Sequence, residues 1–208
     1  MEIYTSLKNQ SSARYTERKS EFVSFAAPVG SEEEAAAFIS AVKKRLPGAN
    51  HYVYAYILRS GAARCSDDGE PSGTAGKPTL NLLEKTGLTN AVIITARFYG
   101  GIMLGAGGLV RAYSMSAARS LEAGETVRYA PFVRFTLEYG YPAHKPIENE
   151  LRRLGAIIGR AVYGEKIKLS AAVRKDLSVD FREKIIDITA GQALITEEGE
   201  GFEADSGG

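Results

Sequence analysis

Two glycine-rich segments carry the residue types that could bind or react. The first reads Ser66-Asp67-Asp68-Gly69-Glu70-Pro71-Ser72-Gly73-Thr74-Ala75-Gly76-Lys77. Asp67, Asp68 and Glu70 offer hard oxygen atoms that could hold a divalent cation. Equally, they could accept hydrogen bonds from loop amides and hold the turn in shape. With no helper group nearby in sequence, the loop-forming role is the one expected, and no metal site is assigned. Gly73, Gly76 and Lys77 stand ahead of a helix, where free amides could meet an anion. The segment is not a phosphate-binding P-loop, because Pro71 and Pro78 occupy two of that motif's required positions.

The second segment runs Arg97-Phe98-Tyr99-Gly100-Gly101-Ile102-Met103-Leu104-Gly105-Ala106-Gly107-Gly108-Leu109-Val110-Arg111, from a strand end into a helix N-terminus. Unpaired amides and the positive end of the helix dipole converge there, with Arg97 and Arg111 on the flanks. Val110 stands where a dinucleotide fingerprint needs its last glycine, so that cofactor is not expected. Arg97, Gly100, Gly101, Gly105, Gly107, Gly108 and Arg111 are the candidate anion or nucleic-acid site. The competing reading is that the glycines only permit tight packing.

Three further features bear on this site. His51 opens a strand with no sequence-near Cys or Ser partner, so it is either structural or a lining residue. Tyr52, Tyr54 and Tyr56 share one strand face; Tyr54 and Tyr56 could line the site and stack on bases, or pack against helices. Cys65 lacks a neighbouring base and is not a candidate nucleophile.

The elements that must position these residues follow from periodicity. A strand over 19–28 leads to a helix capped by Ser31, with Glu34 completing a capping box and Pro47-Gly48 ending it. Strands over 51–58 and 91–98 flank the first glycine segment and a short helix at 79–85. A helix over 109–123 presents Leu109, Tyr113, Ala117 and Leu121 to a sheet. Composition changes near Pro131, and the pattern becomes β-α-β-β-α-β, the ferredoxin-like arrangement. The expected organisation is a first domain over 1–130, a ferredoxin-like domain over 131–196, and an acidic, disordered tail over 197–208.

Charge is unevenly spread. The first two regions each carry a net charge of +3, and the tail carries −5, with five acids and no base. Two mildly basic bodies permit weak binding of a polyanion without demanding it. No run reaches the ~18 apolar residues of a membrane helix, and no secretory leader is read at Met1-Glu2-Ile3-Tyr4. A lone cysteine excludes an intrachain disulfide, so a cytoplasmic location with no membrane partner is expected.

Both glycine-rich segments, with Ser20-Glu21-Phe22 and Ala27-Pro28-Val29, resemble the signatures of the YigZ/IMPACT family. Where many members read His-Asn-Cys, this chain has His51-Tyr52-Val53, and Phe98-Tyr99 replaces the usual Tyr-Phe. The resemblance implies an α+β protein. Its first domain would have the ribosomal protein S5 domain 2-like fold. Its second would be ferredoxin-like and similar to the last domain of elongation factor G. It further implies a translation-linked module that binds RNA or the ribosome without catalysis; the eukaryotic relatives regulate translation through protein partners. No cofactor and no DNA sequence specificity are expected. Two alternatives stand beside this reading. One is a small-molecule phosphotransferase or hydrolase using Gly105–Gly108 with Asp67 or Asp68. The other is a protein-interaction regulator.

Overall fold

The computed structural model describes residues 2–205. The chain divides into two compact units, Tyr4–Val127 and a second from Arg128 onward that also takes in the first residues. Both are α+β, each with one sheet. The division falls at Val127/Arg128, a little before the change in composition at Pro131.

The first unit contains strands β1 (Tyr4–Leu7), β2 (Ser11–Glu17), β3 (Ser20–Pro28), β4 (His51–Ile57), β5 (Ala63–Ser66) and β6 (Ala91–Phe98). Its helices are α1 (Glu32–Arg45), α2 (Gly76–Thr86) and α3 (Gly105–Glu122). The sheet runs β2-β3-β6-β4-β5, antiparallel throughout. Alternation of side chains sorts the residues onto two faces. One face packs Val23, Phe25, Tyr56, Val92 and Ile94 against Ala35, Ile39 and Val42 of α1. The other packs Phe22, Ala26, Val53, Ala55 and Ile93 against α2 and α3.

The register aligns three rows across β3, β6 and β4 on the α2/α3 face. They are Ala26-Ile93-Ala55, Ser24-Thr95-Val53 and Phe22-Arg97-His51. Leu121, near the C-terminal end of α3, clusters with the first row, and Leu109, near its start, clusters with Phe22 and Val53. The helix N-terminus therefore lies by the row that carries charge. In the middle row Ser24 Oγ lies 2.6 Å from both Thr95 Oγ1 and Ser116 Oγ, a fully buried trio that satisfies its own hydrogen bonds and ties α3 to the sheet.

Ser31 caps α1, accepting from the Glu34 amide at 3.2 Å. The Glu34 carboxylate reaches the Gly30 amide at 2.6 Å, one residue outside the expected capping box. Two helices begin earlier than periodicity suggests: α2 at Gly76 and α3 at Gly105. Glycine's ~1 kcal/mol helix penalty argues against both starts, and tertiary packing outweighs it. Strands β1, β2 and β5, which are short or poorly alternating, were not apparent from pattern. A two-residue turn with Arg18 and Lys19 at positive φ joins β2 to β3.

The second unit contains β7 (Thr126–Tyr139), whose first residues belong to the first unit, then α4 (His144–Arg153), β8 (Ile157–Tyr163), β9 (Ile167–Arg174), α5 (Ser178–Thr189) and β10 (Leu194–Ala204). Strands pair in the order β10-β7-β9-β8, all antiparallel. Val133, Phe135, Leu137, Tyr139, Leu169 and Val173 form a core with Ile147, Leu151, Phe181 and Ile185 from the helices. The β-α-β-β-α-β order read from the sequence is the order observed.

The acidic segment is corrected by the structure. Residues 197–204 are not disordered; they extend β10 along β7 as far as Ala204↔Tyr129. Apolar content alone gave no reason to order them. Charge complementarity does: Glu197 pairs with Arg182 at 2.7 Å, Glu200 with Lys175 at 2.7 Å, Glu203 with Arg134 at 2.7 Å and Asp205 with Arg174 at 3.3 Å. Each exposed pair contributes only ~0.2–1 kcal/mol, but they act on a strand already hydrogen-bonded to its neighbour. Residues 206–208 lie outside the described residues.

Candidate functional site

Charge enters the α2/α3 face of the sheet at the Phe22-Arg97-His51 row. Arg97 sits at the end of β6, 6% exposed, with Phe22 on one flank and His51 on the other. A buried guanidinium needs a counter-charge. Glu70, itself buried, supplies it: Oε1 accepts from Arg97 Nη1 at 2.7 Å and from the Tyr113 hydroxyl at 2.7 Å. Burial first, and then the bond to Glu70, push the Tyr113 hydroxyl far above its ordinary pKa, so it remains a donor. The Tyr113 ring meets Phe22 edge-on at 5.1 Å, and the guanidinium lies 5.6 Å from the Phe22 centroid and 5.5 Å from that of Tyr99.

His51 is oriented by its backbone neighbourhood. Its Nδ1 lies 2.8 Å from the Asp68 carbonyl oxygen, which can only accept, so Nδ1 carries the proton. Nε2 then lies 4.0 Å from Glu70 Oε1. Asp68 adopts φ 44°, and its carboxylate accepts from the Tyr52 amide at 2.7 Å and lies 3.7 Å from Lys43 Nζ.

Above this row lies a cavity of about 610 Å³. Its polar lining is Asn50, His51, Glu70 and Arg97; its apolar lining includes Pro71, Tyr99, Met103, Leu104 and Leu109. Leu104, Gly105 and Ala106, the start of α3, also line it, and no side chain caps this helix. Its volume falls within the ~300–1,000 Å³ typical of small-molecule sites. Two of its apolar lining residues are exposed, Met103 at 82% and Tyr99 at 47%, and their neighbour in sequence Ile102 is 40% exposed.

The structure thus gathers His51, Glu70, Arg97 and Gly105 from the sequence candidates and disperses the rest. Arg97 is buried and paired with Glu70, and Arg111 is exposed on α3, outside the residues that line the cavity. Tyr54 and Tyr56 belong to the α1 face, opposite His51; Tyr56 is buried and donates to Glu32 at 3.0 Å. The Gly73 and Gly76 amides are occupied by Asp67, whose carboxylate accepts from Gly73 at 2.9 Å, Ala75 at 3.0 Å and Gly76 at 2.8 Å. Burial alone would raise the Asp67 pKa, but these three amide bonds outweigh it and hold the carboxyl below its ordinary value. Lys77 is exposed in the first turn of α2. Gly100 has a packing role: a Cβ there would lie 2.0 Å from the Lys19 carbonyl carbon and oxygen. Gly101, Gly107 and Gly108 are outside the cavity lining. Cys65 is exposed on β5, with its thiol pKa raised by partial burial and by Asp67. Among the described residues no three His, Cys, Asp or Glu side chains gather in a way that could hold a metal ion. Among them, too, no helix is long and apolar enough to cross a membrane.

Sequence reasoning missed Asn50 and the polar role of Tyr113. Asn50 donates its amide to the Arg97 carbonyl at 2.8 Å and accepts from the Tyr99 amide at 2.8 Å, clamping the strand end where the glycine segment begins. The available signal was register: once β4 and β6 pair, Asn50 follows from the His51↔Arg97 match.

Comparison with known proteins matches residues 18–121 to the Impact N-terminal domain and residues 137–192 to a domain of unknown function, DUF1949. The IMPACT family member YvyE of Bacillus subtilis is 33% identical over 196 residues, covering 93% of this chain and 90% of that protein. The IMPACT family member YigZ of Escherichia coli is 34% identical over 187 residues, covering 87% and 92%. A crystal structure of a hypothetical protein superposes with a TM-score of 0.65 at 31% identity, covering 94% of this chain and 97% of the other.

Proposed function

This chain belongs to the YigZ/IMPACT family, and we propose that it is a non-catalytic, translation-associated protein that binds RNA or the ribosome through the α3 N-terminal face of its first unit. The observation that carries this reading is the meeting, at one cavity, of an uncapped helix N-terminus, a buried arginine and an exposed aromatic ring, Tyr99. Amides at a helix start suit phosphate, and an exposed ring suits a base. Arg111, exposed on α3 outside the cavity, adds a cation for a neighbouring phosphate. The likeness to two consecutive folds of elongation factor G that the family resemblance implies points the same way, as an analogy of fold.

The exposed Met103 and Ile102 favour a second reading, a protein partner seated on the same face. A phosphotransferase is less well supported, since Asp67 is bound to loop amides and Asp68 to the Tyr52 amide.

Filter binding of ribosomal RNA, transfer RNA and ribosomal subunits across a salt series tests the proposal, with the full chain compared with Tyr99→Ala and Arg111→Ala. Binding should weaken steeply with salt, and Arg111→Ala should reduce the slope by about one phosphate contact. Absence of binding at low salt, or unchanged binding by both variants, contradicts it.

A further inference from the structure

We propose that the cavity at the start of α3 takes a nucleoside monophosphate unit, with its phosphate on the helix amides and its base against Tyr99. This rests on the RNA reading and deepens it, because it names the chemical group the site selects.

Two independent observations point to an anion. The first turn of α3 opens onto the cavity with no side-chain cap. Arg97 lines the same cavity at 6% exposure, and its Nε is the one buried side-chain nitrogen or oxygen without a hydrogen-bond partner among the described residues. An orphaned donor on a buried cation is costly, and such a group calls for an explanation. An oxyanion bound in the cavity beside Arg97 would share its charge with Glu70.

Charge indicates which anion. Glu70 balances Arg97 in the row below. The helix dipole remains to meet the ligand's charge, and His51, whose Nδ1–H is donated to the Asp68 carbonyl, presents Nε2 as an acceptor. A terminal phosphate monoester carries roughly −1.5 to −2 charges near neutrality, against −1 for an internal diester, so it gains more from the dipole, and unlike the diester it keeps an oxygen that can carry a proton for His51 Nε2. Size agrees: the cavity is about 610 Å³, with Tyr99 and Met103 in its lining. It suits one nucleotide rather than a duplex.

The monophosphate could come from a free nucleotide or from the phosphorylated end of an RNA chain, and the test separates these. Titration calorimetry of the full chain would use adenosine 5′-monophosphate and a short oligoribonucleotide carrying either a 5′-phosphate or a 5′-hydroxyl. The phosphorylated oligoribonucleotide should bind about tenfold more tightly than its hydroxyl counterpart, as charge-assisted hydrogen bonds to the extra oxygens require. His51→Ala should reduce that difference and Tyr99→Ala should weaken both oligoribonucleotides, each variant being checked for an unchanged thermal transition. Tyr99 is exposed, so its replacement keeps the test valid if His51→Ala fails to fold. Mononucleotide binding as tight as that of the phosphorylated chain supports the proposal with the free nucleotide as source. Equal affinity for the two oligoribonucleotides, with no mononucleotide binding, overturns it. The RNA reading fails separately, if ribosomal RNA and subunits do not bind either.

Discussion

Glu70 Oε1 accepts the Arg97 Nη1 hydrogen bond at 2.7 Å inside the protein, with both side chains less than a tenth exposed. This pair links the two glycine-rich segments, because Glu70 comes from the first and Arg97 opens the second. It also determines what the second segment can offer a ligand. Arg97 reaches the cavity as a cation already half-committed, while the amides of α3 remain free of any side-chain cap.

Removing one partner of such a pair should leave a buried charge unmatched. Glu70→Gln is expected to destabilise the first unit by about 3 kcal/mol, the usual result of breaking a buried ion pair. Adding Arg97→Met to Glu70→Gln should recover part of the loss, and a double-mutant cycle in urea would show a coupling well above the error of the method. Additive losses would mean the pair does not act as one unit.

Asp67 gives a prediction with a defined pH sense. Its folded carboxyl is held below the ordinary value by three amide bonds that outweigh burial. Those bonds therefore stabilise the loop above the ordinary carboxylate pKa of about 3.9 and are lost as pH falls through the lower folded value. Asp67→Ala should cost about 1–2 kcal/mol near neutrality, as loss of a helix cap does. The gap to the parent protein should close in acid, which chemical denaturation at a series of pH values would follow. A gap that stays constant into strong acid would contradict the assignment.

The glycines divide into two kinds that substitution should separate. At Gly100 an added Cβ would lie 2.0 Å from the Lys19 backbone, so Gly100→Ala should destabilise by about 1–3 kcal/mol or more through overpacking. At Gly107 the nearest atom to an added Cβ is the flexible Arg111 Nη1 at 3.6 Å. Gly107→Ala should leave stability unchanged or raise it by up to about 1 kcal/mol through helix propensity. Thermal unfolding of the two variants decides this.

The C-terminal strand should stabilise the second unit. Ending the chain after Thr196 removes most of the β10 pairing with β7 and the four acid–base pairs. The thermal transition of the second unit should fall by several degrees, since roughly 1 kcal/mol moves a small domain by ~4–8 °C. An unchanged transition would mean the strand adds nothing to the fold.

Much of this architecture was legible in the sequence, for physical reasons. Helix α1 announced itself through Ser31, its acidic first turn and its basic last turn. Strand β6 was readable because its apolar run is continuous, and the second unit because strands and helices alternate in period. The misses share a cause: they depend on partners far away in sequence. The acidic residues of β10 look unfoldable until Arg134, Lys175 and Arg182 are seen beside them. Gly105–Gly108 looks like a loop until Leu109, Tyr113 and the buried Ser116 trio anchor α3. At the site, Arg97 and His51 were legible as residue types, but the Arg97–Glu70 pairing was not, because it joins positions 27 residues apart. For the tyrosines the sequence leaves two roles open, and alternation decides between them: it places Tyr54 and His51 on opposite faces, and α1 covers the tyrosine face.

Photo-crosslinking reports whether RNA meets the protein at the start of α3. Ribosomal RNA containing 4-thiouridine would be irradiated with the full chain and the crosslinked peptides sequenced after trypsin digestion. Crosslinks should concentrate in the peptide 98–111, which carries Tyr99, Met103 and the first turn of α3. Crosslinks confined to the second unit or to the α1 face, with none in that peptide, would contradict it.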